Sequence, residues 1–156
     1  MSRLIIIPTP IGNLDDITIR AVKVLKNIDV LFAEDTRTTK KLLNHLSLKV
    51  KTVSYHQYNE HKNLQKYIDL IKSKEHVGLV CDAGTPSISD PGFLLIRECI
   101  KNKINVECLP GPTALIPALV KSGFSCENFI FYGFIPIKKG RKAFLMKISQ
   151  EEKTMI

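Results

Sequence analysis

Short apolar runs alternate along this chain with longer stretches whose apolar residues recur every three or four positions. The runs at residues 4–8, 30–33 and 77–81 have strand length, and 50–55 and 105–109, with polar residues interspersed, also read as strands. Between them, residues 17–27, 38–46, 59–74 and 92–102 read as helices, and 113–121 as another after the last run. In the 59–74 helix, Leu64, Ile68 and Ile71 form the inward stripe. Asp90 and Pro91 are expected as N-cap and first position of the helix that follows, and Gly123 as a helix stop.

Strands separated by helices at this spacing need crossover connections. The expected class is therefore α/β, a mostly parallel sheet with helices on both faces. Its first domain is expected over 1–112, with the linker to a second domain near 110–113. Loops rich in glycine or polar residues follow the runs that end at Pro8, Ala33, Cys81 and Leu109. In a parallel sheet such loops gather at one edge, where a small-molecule site is expected. The loop 81–92, reading CDAGTPSISDPG, is the richest of them: its glycines let bare backbone approach a ligand, and Asp82, Thr85, Ser87, Ser89 and Asp90 bring carboxylates and hydroxyls. The same residues would also suit an ordinary turn.

The apolar share of 44% in 156 residues is ample for a core. No run reaches the ~20 residues of a membrane span, and the short run at 4–8 is unlike a signal peptide, so a cytoplasmic protein without membrane association is expected. Cys81, Cys99, Cys108 and Cys126 lie far apart and are read as reduced core thiols. His56 and His61 are spaced wrongly for one helix face, and no metal site is expected. The net charge of +8, from 23 Lys and Arg against 15 Asp and Glu, favours a polyanionic partner. Lys138, Lys139, Arg141 and Lys142, set around Gly140, are a candidate grip on a nucleic-acid backbone, or a plain solvated turn.

Several blocks, in order, carry a family resemblance: Pro8-Thr9-Pro10-Ile11-Gly12-Asn13-Leu14-Asp15-Asp16, Ala33-Glu34-Asp35-Thr36-Arg37, Tyr55-His56 with Asn59-Glu60, Asp82-Ala83-Gly84-Thr85-Pro86 through Ser89-Asp90-Pro91-Gly92, Pro110-Gly111-Pro112 and Gly133-Phe134. They closely resemble the small-subunit ribosomal RNA methyltransferase I branch of the tetrapyrrole methylase superfamily. The resemblance covers nearly the whole chain and implies S-adenosylmethionine-dependent 2′-O-methylation of a cytidine in the decoding region of small-subunit ribosomal RNA. It also implies a homodimer acting on that RNA or on a 30S-type particle. The implied fold has two domains, the second, an α/β domain, represented in part by 113–156, because family members continue well past Ile156.

On that resemblance, Asp82, Gly84, Thr85, Ile88 and Ser89 line the methyl-donor site, with Pro8 and Gly12 on the opposite wall and Pro112, Thr113 and Ala114 on the adenosine side. The acceptor hydroxyl needs a proton acceptor, and Glu34, Asp35, His56 and Glu60 are the candidates. Arg37 is expected, with the Lys138–Lys142 cluster, to hold phosphates, though it could instead neutralise a carboxylate of its own loop. Tyr55 or Tyr58 is available to stack on a splayed base. Two other readings stay open: methylation of a tetrapyrrole carbon, and a non-catalytic module that binds S-adenosylmethionine or RNA.

Overall fold

A computed structural model describes residues 2–156. The chain divides into two compact units, Met1–Thr113 and Ala114–Ile156. The first holds β1 (Arg3–Ile6), α1 (Ile19–Leu25), β2 (Val30–Ala33), α2 (Thr36–His45), β3 (Thr52–Ser54), α3 (Gln57–Lys72), β4 (His76–Val80), α4 (Phe93–Lys101) and β5 (Asn105–Cys108). All five strands are parallel, in the order β3-β2-β4-β1-β5.

Alternation along the strands divides the core in two. Leu4 and Ile6 of β1, Val30 and Phe32 of β2 and Val77 and Leu79 of β4 point to one face, where Tyr67, Ile68 and Ile71 of α3 and Leu95 and Cys99 of α4 cover them. Ile5, Ile7, Leu31 and Ala33 point to the other, under Ala21 and Leu25 of α1 and Leu43 of α2. The helix pairs follow from topology. The chain leaves β1 and β2 towards the β3 side of the sheet but leaves β3 and β4 towards β5, and right-handed crossovers in opposite directions lie on opposite faces. The direction changes between the adjacent strands β1 and β4, which makes their carboxyl ends a topological switch point.

Local chemistry moves several element ends from those expected. Thr18 caps α1, its hydroxyl accepting the Ala21 N–H at 3.0 Å, so the helix starts at Ile19 behind a single 3-10 turn at Leu14–Asp16. At α3, the Asn59 side chain accepts the His56 N–H at 2.9 Å, and the helix opens at Gln57, ahead of the expected start. Asp90 and Pro91 do not begin α4. The chain turns at Gly92, which is the N-cap with φ of 143°, and Phe93 is the first helical residue. Two of the four cysteines are not core residues: all are free thiols, but Cys108 and Cys126 are exposed. Tyr55 belongs to the core, packed edge-on against Tyr67 at 5.0 Å, whereas Tyr58 is exposed.

The second unit contains α5 (Leu115–Ser122), β6 (Phe129–Ile130), α6 (Arg141–Ile148) and β7 (Thr154–Met155). Gly123 ends α5 in the left-handed conformation. β6 and β7 pair in parallel across α6 and are prolonged by the Ile156 N–H to the Ile130 carbonyl and the Tyr132 N–H to the Ile156 carbonyl. Among the described residues no helix is long and apolar enough to cross a membrane.

Gly78 lies in the middle of β4, where an added Cβ would stand 2.7 Å from Leu31 Cδ1 and 3.1 Å from Ile7 Cδ1. Gly78→Val is expected to overpack the α1–α2 face and cost about 1–3 kcal/mol. Urea unfolding checks it: a midpoint equal to that of the parent would mean that this face has room to spare.

Candidate functional site

Four loops leave the carboxyl ends of β2, β4, β1 and β5, and side chains and backbone tie each to its neighbour. Between the central two, Thr9 and Gly84 form an isolated antiparallel bridge: the Thr9 N–H donates to the Gly84 carbonyl at 2.9 Å and the Gly84 N–H to the Thr9 carbonyl at 2.8 Å. The buried Thr9 hydroxyl adds a bond to the Cys81 carbonyl at 3.1 Å. Gly84 has φ of 85°, a conformation that favours glycine, and a Cβ there would meet Ile11 Cδ1 at 3.3 Å. Towards β5, the Thr85 hydroxyl donates to the Pro112 carbonyl at 3.0 Å, and Pro8 packs on Gly111 so closely that a Cβ would sit 2.7 Å from the proline ring. Towards β2, the Asp35 N–H donates to an Asp82 carboxylate oxygen at 3.2 Å, and the Asp82 N–H to a Glu34 carboxylate oxygen at 3.4 Å.

This lattice assembles half of the expected residues of the first unit: Pro8, Asp82, Gly84, Thr85, Pro112, Glu34 and Asp35. Ile88 and Ser89 project exposed from the loop after β4, and Gly12 is an exposed turn with φ of 78° and open space where a Cβ would point. Thr113 closes the first unit and Ala114 is the N-cap of α5 in the second. His56 and Glu60 stand apart from the central tips. They follow β3, the outermost strand, two strand spacings and hence roughly 10 Å from β4. Glu60 accepts the hydroxyl hydrogen of buried Tyr55 at 2.8 Å, which gives that carboxylate a structural partner.

The carboxylates at the tips differ in character. Burial raises the Glu34 carboxyl above its ordinary range against the pull of the Asp82 N–H, and repulsion from Asp90, Asp82 and Asp35 adds to the rise. Asp82 is raised in the same way, first by burial. Asp35 goes the other way. It caps α2 through the Arg37 N–H at 2.8 Å and receives the Arg37 guanidinium as a fork at 2.6–3.1 Å, which brings its carboxyl down to about 2. Of the two roles open to Arg37, its own loop occupies it with neutralising Asp35.

Lys138, Lys139, Arg141 and Lys142 all lie exposed in the second unit. They surround Gly140, the N-cap of α6, and Lys138, Arg141 and Lys142 edge a groove of about 550 Å³ floored by Leu145 and Met146. Sequence reasoning passed over Thr9 and Gly111, the two residues that lock the loop after β1 in place. A threonine between two prolines directly behind a strand was the available signal for the first; the close approach at Gly111 is a tertiary fact.

A parallel sheet with its connected loops bonded together at the switch point defines a doubly wound α/β domain. The sequence profile of the Tetrapyrrole (Corrin/Porphyrin) Methylases matches residues 3–156, and the chain belongs to that family. Proteins named "Ribosomal RNA small subunit methyltransferase I" are among its relatives. The one from Thermotoga maritima is 44% identical over all of this chain and 70% of its own length, and that from Hydrogenobaculum sp. 51% identical over 94% of this chain and 64% of its own. The Synechocystis sp. relative is 44% identical and is matched over 56% of its length, so the chain spans between about half and two thirds of most of these proteins. A crystal structure of uroporphyrin-III-C-methyltransferase from Thermus thermophilus superposes with a TM-score of 0.61 at 17% identity, over 84% of this chain and 59% of that one. At that identity the likeness is one of fold.

The two kinds of carboxylate predict opposite responses to pH. Asp35, with its lowered value, contributes stability that is complete above its ordinary 3.8 and is lost as the pH falls towards 2. Asp82, with a raised value, favours the folded state when protonated, and that contribution is lost as the pH rises through its raised value. Thermal midpoints should therefore show Asp35→Asn flattening the acid limb between pH 4 and 2, and Asp82→Asn gaining more relative to the parent at pH 7 than at pH 3. Parallel curves for parent and variants would refute the assignment.

Proposed function

We propose that this chain carries the donor-binding part of an S-adenosylmethionine-dependent methyltransferase whose acceptor is small-subunit ribosomal RNA. The observation that carries the reading is the cross-bonded set of strand-tip loops around Gly84, edged by Glu34, Asp35, Asp82 and Asp90. A positively charged ligand is drawn to such a ring of carboxylates, while the polyanionic acceptor is drawn to lysines elsewhere on the surface. The names of the relatives at 44–51% identity support the RNA acceptor over a tetrapyrrole.

The residues present fit the donor. Beside the buried Gly84, whose backbone groups bond to Thr9, the exposed Asp82 and Ser89 offer polar contacts, and the exposed Ile88 offers an apolar one. Pro8 and the turn to Gly12 would form the facing wall, with Pro112 and Thr113 beside the adenosine. S-adenosylmethionine, when bound, supplies a methyl group activated by its sulfonium charge. The protein's part is then to orient donor and acceptor and to take up one proton.

Glu34 is the best-placed proton acceptor. It is half-buried, burial raises its carboxyl above the ordinary range, and among the described residues it makes no ion pair. Asp35 is a weaker base because Arg37 holds it ionised. His56 and Glu60, beyond β2 at the sheet edge, suit contacts to flanking RNA better than proton transfer. The finer reading is methylation of a cytidine 2′-hydroxyl in the decoding region, carried out in the cytoplasm by a homodimer on RNA or a 30S-type particle. Lys138, Lys139, Arg141 and Lys142 would contact phosphates, with Arg37 released to do so only by breaking its fork to Asp35.

Calorimetry with S-adenosylhomocysteine tests the donor site: Gly84→Val and Asp82→Ala should each weaken binding at least tenfold in folded protein, and unchanged affinity would remove this loop from the site. Methyl transfer to small subunits lacking the modification tests the rest. Glu34→Gln should lower the rate by about 10²–10⁴-fold while leaving donor affinity within twofold. A rate equal to the parent's would pass the base to another group. Transfer to a porphyrin-like acceptor instead would overturn the RNA assignment.

A further inference from the structure

Between Asp35 and Glu60 the chain has no acidic residue, yet it carries five of its 23 Lys and Arg: Arg37, Lys40, Lys41, Lys49 and Lys51. Folding gathers three of these at one place. α2 buries Thr39, Leu42 and Leu43 and leaves Lys40, Lys41 and Asn44 exposed. At its end the chain reverses through Ser47, in the left-handed region at φ of 55°, with the Leu48 N–H bonded to the Leu43 carbonyl at 2.8 Å. It then runs back towards β3, and the Leu31 N–H fixes the Lys51 carbonyl at 2.9 Å. Lys49 and Lys51 are exposed on either side of half-buried Val50, as period-2 alternation requires. The result is a groove of about 410 Å³ with Leu43, Leu48 and Val50 in its lining and Lys40, Lys49 and Lys51 at its rim.

We propose that this groove between α2 and segment 48–52 is a docking surface for the phosphodiester backbone of a structured RNA. The inference rests on the RNA reading above and adds to it a contact surface, on the first unit, that is separate from the strand-tip loops. Charge complementarity carries it. Among the described residues Lys40, Lys41, Lys49 and Lys51 make no ion pair, and no carboxylate lines the groove. A backbone laid along it would release counterions at three exposed cations without displacing an ion-pair partner. The apolar lining suits the ribose faces between phosphates. Lysines on an edge strand such as β3 can also serve simply to block pairing with another sheet, and the experiment separates the two roles.

RNA affinity of the chain would be measured with small-subunit ribosomal RNA between 50 and 200 mM salt. The variant K40Q/K49Q/K51Q should bind more weakly, and its plot of log affinity against log salt should be shallower by about 2, at ~0.7–0.9 for each phosphate that is no longer neutralised. Its affinity for S-adenosylhomocysteine should equal the parent's, which shows that the domain is folded. K26Q/K62Q/K66Q, with the same reduction of charge at exposed positions elsewhere, should leave the slope within about 0.5 of the parent's. A K40Q/K49Q/K51Q slope equal to the parent's overturns the proposal and leaves the RNA reading intact, as does an equal fall in both variants or a variant that only aggregates. A parent chain that binds the donor product but shows no salt-dependent affinity for RNA overturns the RNA reading itself, and the groove with it.

Discussion

Two backbone hydrogen bonds between Thr9 and Gly84 hold together the loops that follow the two central strands β1 and β4. β1 and β4 are adjacent, but the chain leaves them in opposite directions, so nothing in the sheet ladder itself keeps their following loops together. The bridge supplies that constraint past the last sheet pair. Thr9 reinforces it through Cys81, and Pro8 resting on Gly111 passes the constraint to the loop after β5. A loop fixed on both sides has its backbone orientation set before any ligand arrives, and that preorganisation reduces the ordering cost of binding. The opposite edge of the sheet is closed in another way. Glu107 pairs with Arg3 and Arg20, and the Asp29 carboxylate takes the N–H groups of Glu75 and His76.

Charge is partitioned along the chain as well as in space. The strand tips concentrate carboxylates that burial and mutual repulsion make reluctant to ionise, most clearly Glu34 and Asp82. Immediately after them begins a segment without acids, and its helix starts by tying Arg37 back to Asp35. That pair separates an acidic tip from the cationic face that follows. An overall charge of +8 is compatible with many distributions. Here the carboxylates at the tips would attract a cation, and the lysines beyond α2 a polyanion.

The layers of the fold were legible because the two periodicities are clean. Leu4 and Ile6 against Ile5 and Ile7 alternate without interruption, and Ile68 and Ile71 mark the inner face of α3 as their spacing requires. Element ends were less legible, since they turn on single hydrogen bonds such as Thr18 to Ala21 or His56 to Asn59. Asp90-Pro91 illustrates the limit: the pair has the composition of a helix start, but the adjoining Gly92, at a positive φ, ends the loop and takes the cap. Convergence of the four loops could be argued from parallel topology, whereas the bonds between them could not, because Thr9 to Gly84 and Thr85 to Pro112 join residues distant in sequence. The difference in basicity between neighbouring Glu34 and Asp35 was hidden for the same reason. One faces Asp82 across the sheet edge, and the other is captured by an arginine two residues away.

That difference bears on how a carboxylate can serve in proton transfer at this edge. A group near pH 2 is fully ionised but a feeble base, so it accepts a proton with little driving force. A carboxyl raised by burial is a stronger base than that, provided that no cation neutralises it. The Glu34 carboxyl is raised, first by burial; its hydrogen-bond donor is the neutral N–H of Asp82, and Arg37 pairs with Asp35. The Arg37–Asp35 fork therefore has a second consequence beyond capping α2. It occupies the guanidinium at Asp35, and among the described residues Glu34 is left without an ion pair.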